Sequence, residues 1–368
     1  MPAAHFAYLP PIFPELDFWV PAGNGVLAAG EFKIDLNLEL CQYRLRHPRW
    51  QEYLVKLGIM LPVSGVHASP ANITTIARAA ERLGYDSLWT YERLLRPMAP
   101  LLPGPDGELE RIPDVYRVAF EPLQTLSHVA ALTSRIALGT NIVNPLFHPP
   151  VVLARRYATL DQFSGGRVIA GFGQGWMPQE FAAAAVPMKR RGAGFDDAIA
   201  AIRACWGPDP VEYAGRFYAI EASEINPKPV RGDIPIIVGA NTDGGIDRAA
   251  RIADGITPMA YTLDGVAAQA TRFRATAEKL GRDAAALTVT AQTNHPMQLE
   301  PISGDRPFLA GSPRQLAEDI EQLREQKIDG VLFAFPPPDD LDTQIEMLEE
   351  LRTLVPAAKA HRDGGAVA

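Results

Sequence analysis

The chain has few cysteines, no long apolar run and no excess of positive charge, and each absence excludes a class of protein. Only Cys41 and Cys205 occur among the 368 residues. They form neither a CxxC motif nor a metal-binding cluster, which predicts a reducing, cytoplasmic setting. No apolar run approaches the ~18 residues that are typical of a membrane span. The histidines show no zinc spacing such as H-E-x-x-H, so no metal site is predicted.

The charge balance argues against nucleic acid as a partner. Lysine and arginine number 35 against 43 aspartates and glutamates, so the net charge is -8, whereas nucleic-acid-binding proteins are usually basic. An anionic cofactor is still compatible, because a few amides and arginines suffice to bind one phosphate. Apolar residues make up 47% of the chain, and the first residues lack the pattern of a signal peptide. We therefore expect a cytoplasmic protein with a full core and without a nucleic-acid or membrane partner.

Strand-like apolar runs alternate with helix-like stretches along most of the chain. Near-continuous apolar strands separated by helices indicate a parallel sheet covered on both faces. Eight such units favour an α/β fold with a closed, TIM-like (β/α)8 barrel, and an open doubly wound sheet is the alternative. The predicted strands span residues 57–63, 87–90, 136–142, 167–171, 235–239, 255–259, 287–293 and 330–335. The predicted helices span residues 71–83, 120–132, 151–163, 196–206, 243–253, 264–280, 313–326 and 340–354.

Three stretches do not fit a minimal barrel. Residues 94–117 follow the second strand, are rich in proline and glycine and lack periodicity, which is typical of a functional lid. Residues 207–234 follow the fourth helix and contain strand-like runs at 211–213 and 217–220 that predict a small hairpin. We therefore predict insertions after strands 2 and 4. Residues 1–54 form a predicted irregular extension, either an appended arm or sequence not native to the fold, and residues 55–368 form the barrel domain.

Glycines and polar residues follow several predicted strands at their carboxyl ends. Between Arg135 and Trp176, one apolar run ends in Gly-Thr-Asn at residues 139–141, and the next ends in glycines at 171, 173 and 175. A third run ends in Gly-Ala-Asn at 239–241 and opens a helix, whose amino terminus favours an anionic group. In parallel α/β folds, ligands bind at this edge. The sequence therefore predicts a ligand site there, with ordinary strand-to-helix turns as the alternative.

Five segments, in the right order, resemble one family. They read A-A-E-R-L-G-Y-D-S-L-W (79–89), L-G-T-N-I-V (138–143), T-L-D-Q-F-S-G-G-R (159–167), G-Q-G-W-M (173–177) followed by Glu180 and Phe181, and I-I-V-G-A-N (236–241). Over residues 56–355 the chain is similar to the luciferase-like monooxygenase superfamily. It is most similar to the subgroup of oxidoreductases that depend on the deazaflavin coenzyme F-420 (F420). The family fold is a TIM-like barrel with an insertion, in agreement with the count of strands and helices.

The resemblance implies a site for a flavin-type ring and its phosphate at the rim of the barrel. Residues 239–241 would bind the phosphate, and the peptide between residues 141 and 142 is the candidate for a non-proline cis bond behind the ring. The basic run at 189–191 suits the anionic tail of F420, with a solvated surface as the alternative. The implied cofactor-binding residues are Tyr91, Thr140, Asn141, Ile142, Gly173, Gln174, Gly175, Gly239, Ala240 and Asn241.

The resemblance also implies a set of catalytic residues, with one departure from the family pattern. Many relatives carry an acid followed by histidine after the second strand, whereas this chain has Glu92 followed by Arg93. Arginine stays charged near pH 7, so proton transfer would use Glu92, Tyr91 or water. Arg93 would then anchor an anionic substrate or stabilise charge on the reduced ring. The implied catalytic residues are Glu92, Arg93, His148, Trp176 and Glu180.

Each of these residues also has a purely structural interpretation. Glu92 and Arg93 could form a surface ion pair, and Trp176 could pack under the lid. Glu180 falls early in a predicted helix, where a carboxylate is favoured in any case. Histidine as a residue type can act as an acid or base near neutral pH, so His148 is an acid–base candidate, but it also precedes a helix that it could cap.

The function implied by the resemblance is hydride transfer between F420 and a small organic substrate, with the chain forming a homodimer. One alternative is an FMN-dependent monooxygenase that uses reduced flavin and oxygen, with a reductase as the partner that supplies the flavin. A second alternative is a barrel that binds a flavin without turnover, to which the departure at Arg93 gives some weight. A hydrolase is not supported, because the chain has no G-x-S-x-G motif.

Overall fold

The computed structural model of the chain describes residues 54–103, 108–295, 297–333 and 340–356. Apart from Leu54, the predicted extension lies outside the described residues, as do the end of the eighth predicted strand and four residues of the first insertion. The extent of the extension and of the barrel domain therefore stays a prediction. No helix among the described residues is long and apolar enough to cross a membrane.

Eight parallel strands close into a barrel, which confirms the predicted fold class. In chain order the described strands are β1 (Lys56–Met60), β2 (Ser87–Thr90), β3 (Leu102–Pro103), β4 (Leu109–Glu110), β5 (Ala137–Thr140), β6 (Val168–Phe172), β7 (Val211–Ala214), β8 (Ala219–Ser223), β9 (Ile236–Val238), β10 (Gly255–Ile256), β11 (Thr288–Thr293) and β12 (Gly330–Phe333). Around the barrel the order is β1-β2-β5-β6-β9-β10-β11-β12. The barrel closes where β12 pairs with β1, with Lys56 opposite Gly330.

Helices follow the barrel strands and cover them from outside. They are α1 (Pro70–Leu83), α2 (Pro122–Ala130), α3 (Pro150–Ser164), α4 (Pro178–Ala183), α5 (Ala193–Trp206), α6 (Asp243–Ile252), α7 (Leu263–Lys279), α8 (Pro313–Glu325) and α9 (Leu341–Leu354). Five of them begin at proline, which suits the first turn because its missing N–H would have no partner there. Between β6 and β9 there are two helices: α4 is the short helix in which the sequence places Glu180, and α5 corresponds to the predicted helix at 196–206.

Both predicted insertions contain a small antiparallel pair. After β2, strand β3 pairs with β4. After α5, strand β7 pairs with β8. Strand β8 begins two residues later than predicted, because the carboxylate of Asp197 accepts hydrogen bonds from the amides of Phe217 and Tyr218 and holds them in the turn.

The barrel interior is filled by side chains below its rim. Met60, Trp89, Ile237 and Leu332 are buried against one another inside it. The ring of Trp89 lies so close to the neighbouring strands that a Cβ on Gly139 would lie 2.3 Å from it. A ligand therefore has to bind above this layer, at the carboxyl ends of the strands, as in other barrels of this type.

Glycine at position 171 is required by the contact between β5 and β6. A Cβ built there would lie 1.7 Å from the backbone oxygen of Thr140, in the buried wall of the barrel. We expect Gly171→Ala to lower the free energy of unfolding by about 3 kcal/mol, at the upper end of the usual cost of overpacking. Denaturant unfolding would measure this.

The matched control is Gly244→Ala, because a Cβ at Gly244 meets no atom within 4 Å. Its free energy of unfolding should stay within about 0.5 kcal/mol of the unmodified protein, as is usual for exposed substitutions. Equal stability of the two variants would contradict the packing described for Gly171.

Candidate cofactor and active site

Three loops meet around Ile142 at the carboxyl rim of the barrel. A Cβ on Gly173 would lie 2.5 Å from Cδ1 of Ile142, and one on Gly239 would lie 3.2 Å from its Cγ2. The amide of Gly173 donates to the carbonyl of Val143 (3.1 Å), and the amide of Gly239 donates to that of Phe172 (3.0 Å). The structure thus brings together the three rim segments that the sequence singles out. The Asn141–Ile142 peptide is cis, as predicted.

Asn141 is buried, and its side chain ties the rim to the opposite strands. Its amide nitrogen donates to Oε1 of Gln292 (2.7 Å), and its amide oxygen accepts from the hydroxyl of Thr257 (2.8 Å). The sequence analysis missed Gln292 and Thr257. Their positions could have identified them, because both are polar residues at the carboxyl end of a barrel strand: Thr257 directly follows β10, and Gln292 lies near the end of β11.

The side chain of Thr140 faces the helical layer and not the rim. It is fully buried, and its hydroxyl pairs with the hydroxyl of Tyr157 on α3 (2.8 Å) and donates to the carbonyl of Gly171 (2.9 Å). Through its side chain, Thr140 therefore holds the barrel wall together. Any contact between Thr140 and a ligand at the rim would have to come from its backbone.

The loop at residues 239–242 exposes the amino terminus of α6. Asn241 is exposed, and its side-chain oxygen accepts from the amide of Met259 (2.8 Å). The hydroxyl of Thr242 accepts from the amide of Gly245 (3.3 Å) and caps the helix. Ala240 is buried beneath the loop. Small residues at a helix amino terminus let an anion approach the backbone amides.

A group of arginines, the basic cluster (Arg190, Arg191 and Arg248), lies beside this loop. The side-chain oxygen of Gln174 accepts from Nη1 of Arg248 (3.1 Å), and its nitrogen donates to the carbonyl of Arg191 (3.3 Å). Arg248 also pairs with Asp196 (2.8 Å). The guanidinium of Arg190 stacks on the rings of Phe217 (4.6 Å) and Tyr218 (5.1 Å) of the hairpin. Among the described residues, Nε and Nη2 of Arg190 and Nε of Arg191 are buried without a hydrogen-bond acceptor.

The hairpin that supports Arg190 is fixed by one carboxylate, Asp197 of α5. It accepts from the hydroxyl of Tyr213 (2.7 Å) and from the amides of Arg216 (3.1 Å), Phe217 (2.7 Å) and Tyr218 (3.2 Å). Burial acts to raise the pKa of Asp197, but these hydrogen bonds outweigh it, so the pKa lies below the usual value. The ionised carboxylate therefore stabilises the folded state.

We expect Asp197→Asn to lower the free energy of unfolding at pH 7 by about 2 kcal/mol, the scale of a buried hydrogen bond to a charged group. The pKa of Asp197 is lower in the folded than in the unfolded state, so its stabilisation is complete above the unfolded value and is lost as the pH falls through the folded one. The stability difference between the two proteins should therefore shrink on acidification below about pH 4. Denaturant titrations of both proteins, from about pH 3, just below the usual carboxyl pKa, to about pH 7, would measure this difference in the free energy of unfolding. A difference that does not change with pH would contradict the role assigned to the Asp197 carboxylate.

Glu92 connects the β2 end to the segment after β5. Its Oε1 lies 2.6 Å from Nε2 of His148, and its Oε2 accepts from the amide of Asn144 (2.9 Å). Both side chains are largely buried, Glu92 more so than His148. The side-chain oxygen of Asn144 caps the turn that leads to His148 by accepting from the amide of Leu146 (3.1 Å). The carboxylate of Glu92 and the imidazole of His148 thus form a hydrogen-bonded pair of fixed position, which is suited to transferring a proton.

Gly175 makes room for this arrangement. It has a φ of 66°, and a Cβ there would lie 2.5 Å from Nδ2 of Asn144. A side chain at position 175 would therefore press on the residue whose amide holds Glu92. The close packing against Asn144 therefore explains why the third glycine of the motif at 171–175, Gly175, has no side chain.

Arg93 and Glu180 form a largely buried ion pair between the β2 loop and α4. Nη1 of Arg93 donates to Oε2 of Glu180 (3.1 Å), and the amide of Leu94 donates to its Oε1 (2.9 Å). The guanidinium lies over the rings of Tyr116 (4.7 Å) and Trp176 (5.6 Å). Burial raises the pKa of Glu180, although Arg93 opposes this shift. The structure therefore brings together Arg93, Trp176 and Glu180, while Glu92 is paired with His148 and not with Arg93.

Tyr91 completes this side of the rim. Its hydroxyl donates to Oγ of Ser64 after β1 (2.5 Å), and its ring meets the edge of Tyr116 (6.2 Å). Burial raises the pKa of Tyr91 to about 12. The phenol therefore stays protonated near neutral pH and can donate a hydrogen bond but cannot serve as a base.

These residues fit a flat ring with an anionic tail. Glycines at 173 and 239 leave room for the side chain of Ile142, and this side chain is half-buried at the rim, so part of it is accessible to a ring. Buried guanidinium nitrogens of Arg190 and Arg191 have no acceptor within the described part of the chain and suit an anion. In that same part, no group of histidines, cysteines and carboxylates could hold a metal ion.

Comparison with known proteins assigns the family. A family model described as luciferase-like monooxygenase matches residues 55–296. The chain belongs to this family, whose members are oxidoreductases.

Among its relatives, an uncharacterized protein of Mycobacterium tuberculosis is 35% identical over 211 residues, which cover 56% of this chain and 74% of that protein. An F420-dependent glucose-6-phosphate dehydrogenase of Kineococcus radiotolerans is 30% identical over 204 residues. The match covers 55% of this chain and 55% of the dehydrogenase. Relatives thus include an F420-dependent enzyme, in agreement with the subgroup that the sequence resembles.

Solved structures agree with the fold. The monooxygenase RslO1 from Streptomyces bottropensis superposes with a TM-score of 0.67 at 21% identity, covering 82% of this chain and 98% of that one. The coenzyme F420-dependent tetrahydromethanopterin reductase from Methanopyrus kandleri superposes with a TM-score of 0.64 at 21% identity, over the same shares of the two chains. At this identity the comparison confirms the barrel fold.

Proposed function

We propose that this chain is an F420-dependent oxidoreductase that transfers hydride between the coenzyme and a small organic substrate. One observation carries the proposal: the half-buried side chain of Ile142 packs against Gly173 and Gly239 at the rim, and the basic cluster lies beside the same loops. The rim offers a flat surface for a tricyclic ring, and the arginines offer positive charge for a long anionic tail. The F420-dependent relatives support the same choice.

The rim residues would share the work of holding the coenzyme. Ile142 and the backbone at Gly173 would lie along the ring, and Asn141 would keep this segment in place through Gln292 and Thr257. In the loop at 239–241, the amide of Gly239 already donates to Phe172, so the amides of Ala240 and Asn241 would bind the phosphate. The basic cluster would bind the carboxylates of the tail. When bound, F420 supplies a carbon centre that gives or accepts hydride.

Reduction of a carbonyl by hydride also requires a proton at the substrate oxygen. We assign it to the pair of Glu92 and His148, whose side-chain atoms Oε1 and Nε2 are 2.6 Å apart. The carboxylate stabilises the protonated imidazole, and the imidazole is the more exposed of the two. Arg93 has no part in this step, because its guanidinium stays charged near neutrality and is bound by Glu180.

The second candidate is an FMN-dependent monooxygenase with a reductase as partner, which the similarity to the monooxygenase RslO1 supports. FMN ends at its phosphate, which the loop at 239–241 alone would bind. Arg248 is paired with Asp196, but the buried nitrogens of Arg190 and Arg191 would then have no ligand group to bind, so we favour F420. A homodimer and a cytoplasmic location remain predictions that accompany either candidate.

Turnover in the two cofactor systems separates the candidates. The protein would be incubated with reduced F420 and a series of ketones, and with oxidised F420 and the corresponding alcohols, while the absorbance of oxidised F420 is followed. We expect the absorbance to change in both directions with at least one substrate pair. Oxygen consumption with FMN and a reductase, without any change in the F420 reactions, would contradict the proposal.

A further inference from the structure

The side of the rim next to Arg93 is lined by aromatic and apolar side chains. Tyr91, Tyr116 and Trp176 surround the Arg93–Glu180 pair, as their ring contacts show. Large apolar side chains are also exposed on the loops that follow β1, β2 and β6. This apolar ledge consists of Val66, Leu94, Met98, Leu109, Val118 and Trp176.

Contacts between these loops connect part of the ledge to the rim. Ser64 forms an antiparallel bridge with Ala119, which makes Val66 and Val118 members of adjacent segments. Ser64 also accepts from the hydroxyl of Tyr91 at the end of β2. Val66 is 86% exposed and Met98 is 67% exposed. Exposed apolar side chains that are grouped on neighbouring loops, unlike single scattered ones, suit a binding surface.

The charges next to the ledge cancel. Arg93 is 12% exposed and its partner Glu180 is 6% exposed, so the pair is nearly removed from solvent. Glu180 is held a second time by the amide of Leu94, which fixes it against Arg93. Glu92 lies near enough to act on the ionisation of Glu180. Nε of Arg93 is buried without an acceptor among the described residues, but Glu180 already balances the charge of the guanidinium. A carboxylate that entered here would therefore meet two carboxylates and no net positive charge.

From this arrangement we propose that the substrate is an uncharged, mainly apolar ketone or alcohol, and that Glu180 excludes carboxylate substrates by occupying Arg93. The proposal names the substrate class of the proposed F420-dependent function and rests on it. In the reductive direction, hydride from the reduced deazaflavin forms the new C–H bond, and the carbonyl oxygen takes the proton from the Glu92–His148 pair. The C=O double bond becomes a C–OH single bond, and the deazaflavin is oxidised.

Glu180 is thus a specificity-determining residue that acts through Arg93. Without its charge, Arg93 becomes a free, poorly solvated cation beside the aromatic side chains, and such a cation binds carboxylates strongly. The account therefore predicts a gain of binding when Glu180 is replaced. A residue that only stabilised the lid would give no such gain.

The test uses two ligands of nearly equal shape, 2-acetylnaphthalene and 2-naphthoate, with binding to the full-length protein measured by calorimetry without any coenzyme. We expect the unmodified protein to bind the ketone about 10-fold more tightly than the carboxylate. In Glu180→Gln, affinity for 2-naphthoate should rise about 10-fold, and in the double variant Arg93→Gln with Glu180→Gln this gain should disappear. Thermal unfolding of each variant shows that it is folded.

Asp114→Asn is the matched control. Asp114 pairs with Arg96 (2.5 Å), an arginine on the same insertion that is as little exposed as Arg93, but outside the aromatic group. This substitution should leave both affinities unchanged. Equal affinity of the unmodified protein for the two ligands, binding of neither, or no gain in Glu180→Gln would overturn the proposal. Because no coenzyme takes part in this experiment, its outcome tests the substrate proposal independently of whether the protein binds F420 or catalyses F420-dependent turnover.

Discussion

Glu92→Gln is expected to lower kcat for F420-dependent turnover by about 100-fold, within the usual range for loss of a proton-transferring group. The substituted amide keeps the size of the side chain, but it cannot stabilise a protonated His148 or accept from the amide of Asn144 with the same strength. The Kd for F420 should stay nearly constant, because neither Glu92 nor His148 is proposed to bind the coenzyme. Stopped-flow absorbance would measure kcat, and a fluorescence titration would measure the Kd.

His148→Gln should reduce kcat to a similar extent, and the double variant should be little worse than either single one. Residues that act as one unit are strongly non-additive in this way. Glu224→Gln is the control, since Glu224 is exposed in the second insertion, and it should keep full activity. If kcat of Glu92→Gln stays close to that of this control, the pair does not carry the proton.

Gly173→Ala is expected to weaken F420 binding by about 100-fold, or about 2.7 kcal/mol. The added Cβ would lie 2.5 Å from Cδ1 of Ile142. That atom is the end of a side chain and can move, so the fold should survive. It would move into the open face along which the ring is proposed to lie, and coenzyme binding should suffer more than stability.

The double variant Gly173→Ala with Ile142→Ala tests this explanation. Removal of the clashing side chain should recover a large part of the lost affinity, although the ring then loses its contact with Ile142. The unfolding midpoint of Gly173→Ala should change far less than that of Gly171→Ala, where the Cβ meets a backbone oxygen. Strong F420 binding by Gly173→Ala would show that the ring lies elsewhere.

Much of the fold and part of the rim could be predicted from the sequence. Parallel strands buried on both faces produce apolar runs, and these are visible without any knowledge of contacts. Glycines at 173 and 239 were also visible in the sequence, and the structure shows that they leave room for the side chain of Ile142. Thr140 shows the limit of this reasoning, since strand position alone did not reveal that its hydroxyl faces Tyr157.

Pairing of long side chains could not be predicted. Arg93 and Glu180 are 87 positions apart, and sequence adjacency suggested that Arg93 would pair with Glu92. In the structure Glu92 contacts His148, and Arg93 instead pairs with Glu180 on α4. Likewise, neighbouring Asp196 and Asp197 diverge: the first pairs with Arg248 and the second holds the hairpin. Such choices depend on side-chain direction and on loops whose course the sequence does not specify.

The most direct test of the account is a side-by-side equilibrium titration of the protein with oxidised F420 and with FMN at low and high salt. We predict that F420 binds about 10-fold or more tightly than FMN. Its affinity should also fall more steeply with salt, because the basic cluster binds a tail with several charges. FMN binding as tight as that of F420, or the same salt dependence for both, would contradict the assignment of the rim and the basic cluster to a deazaflavin coenzyme.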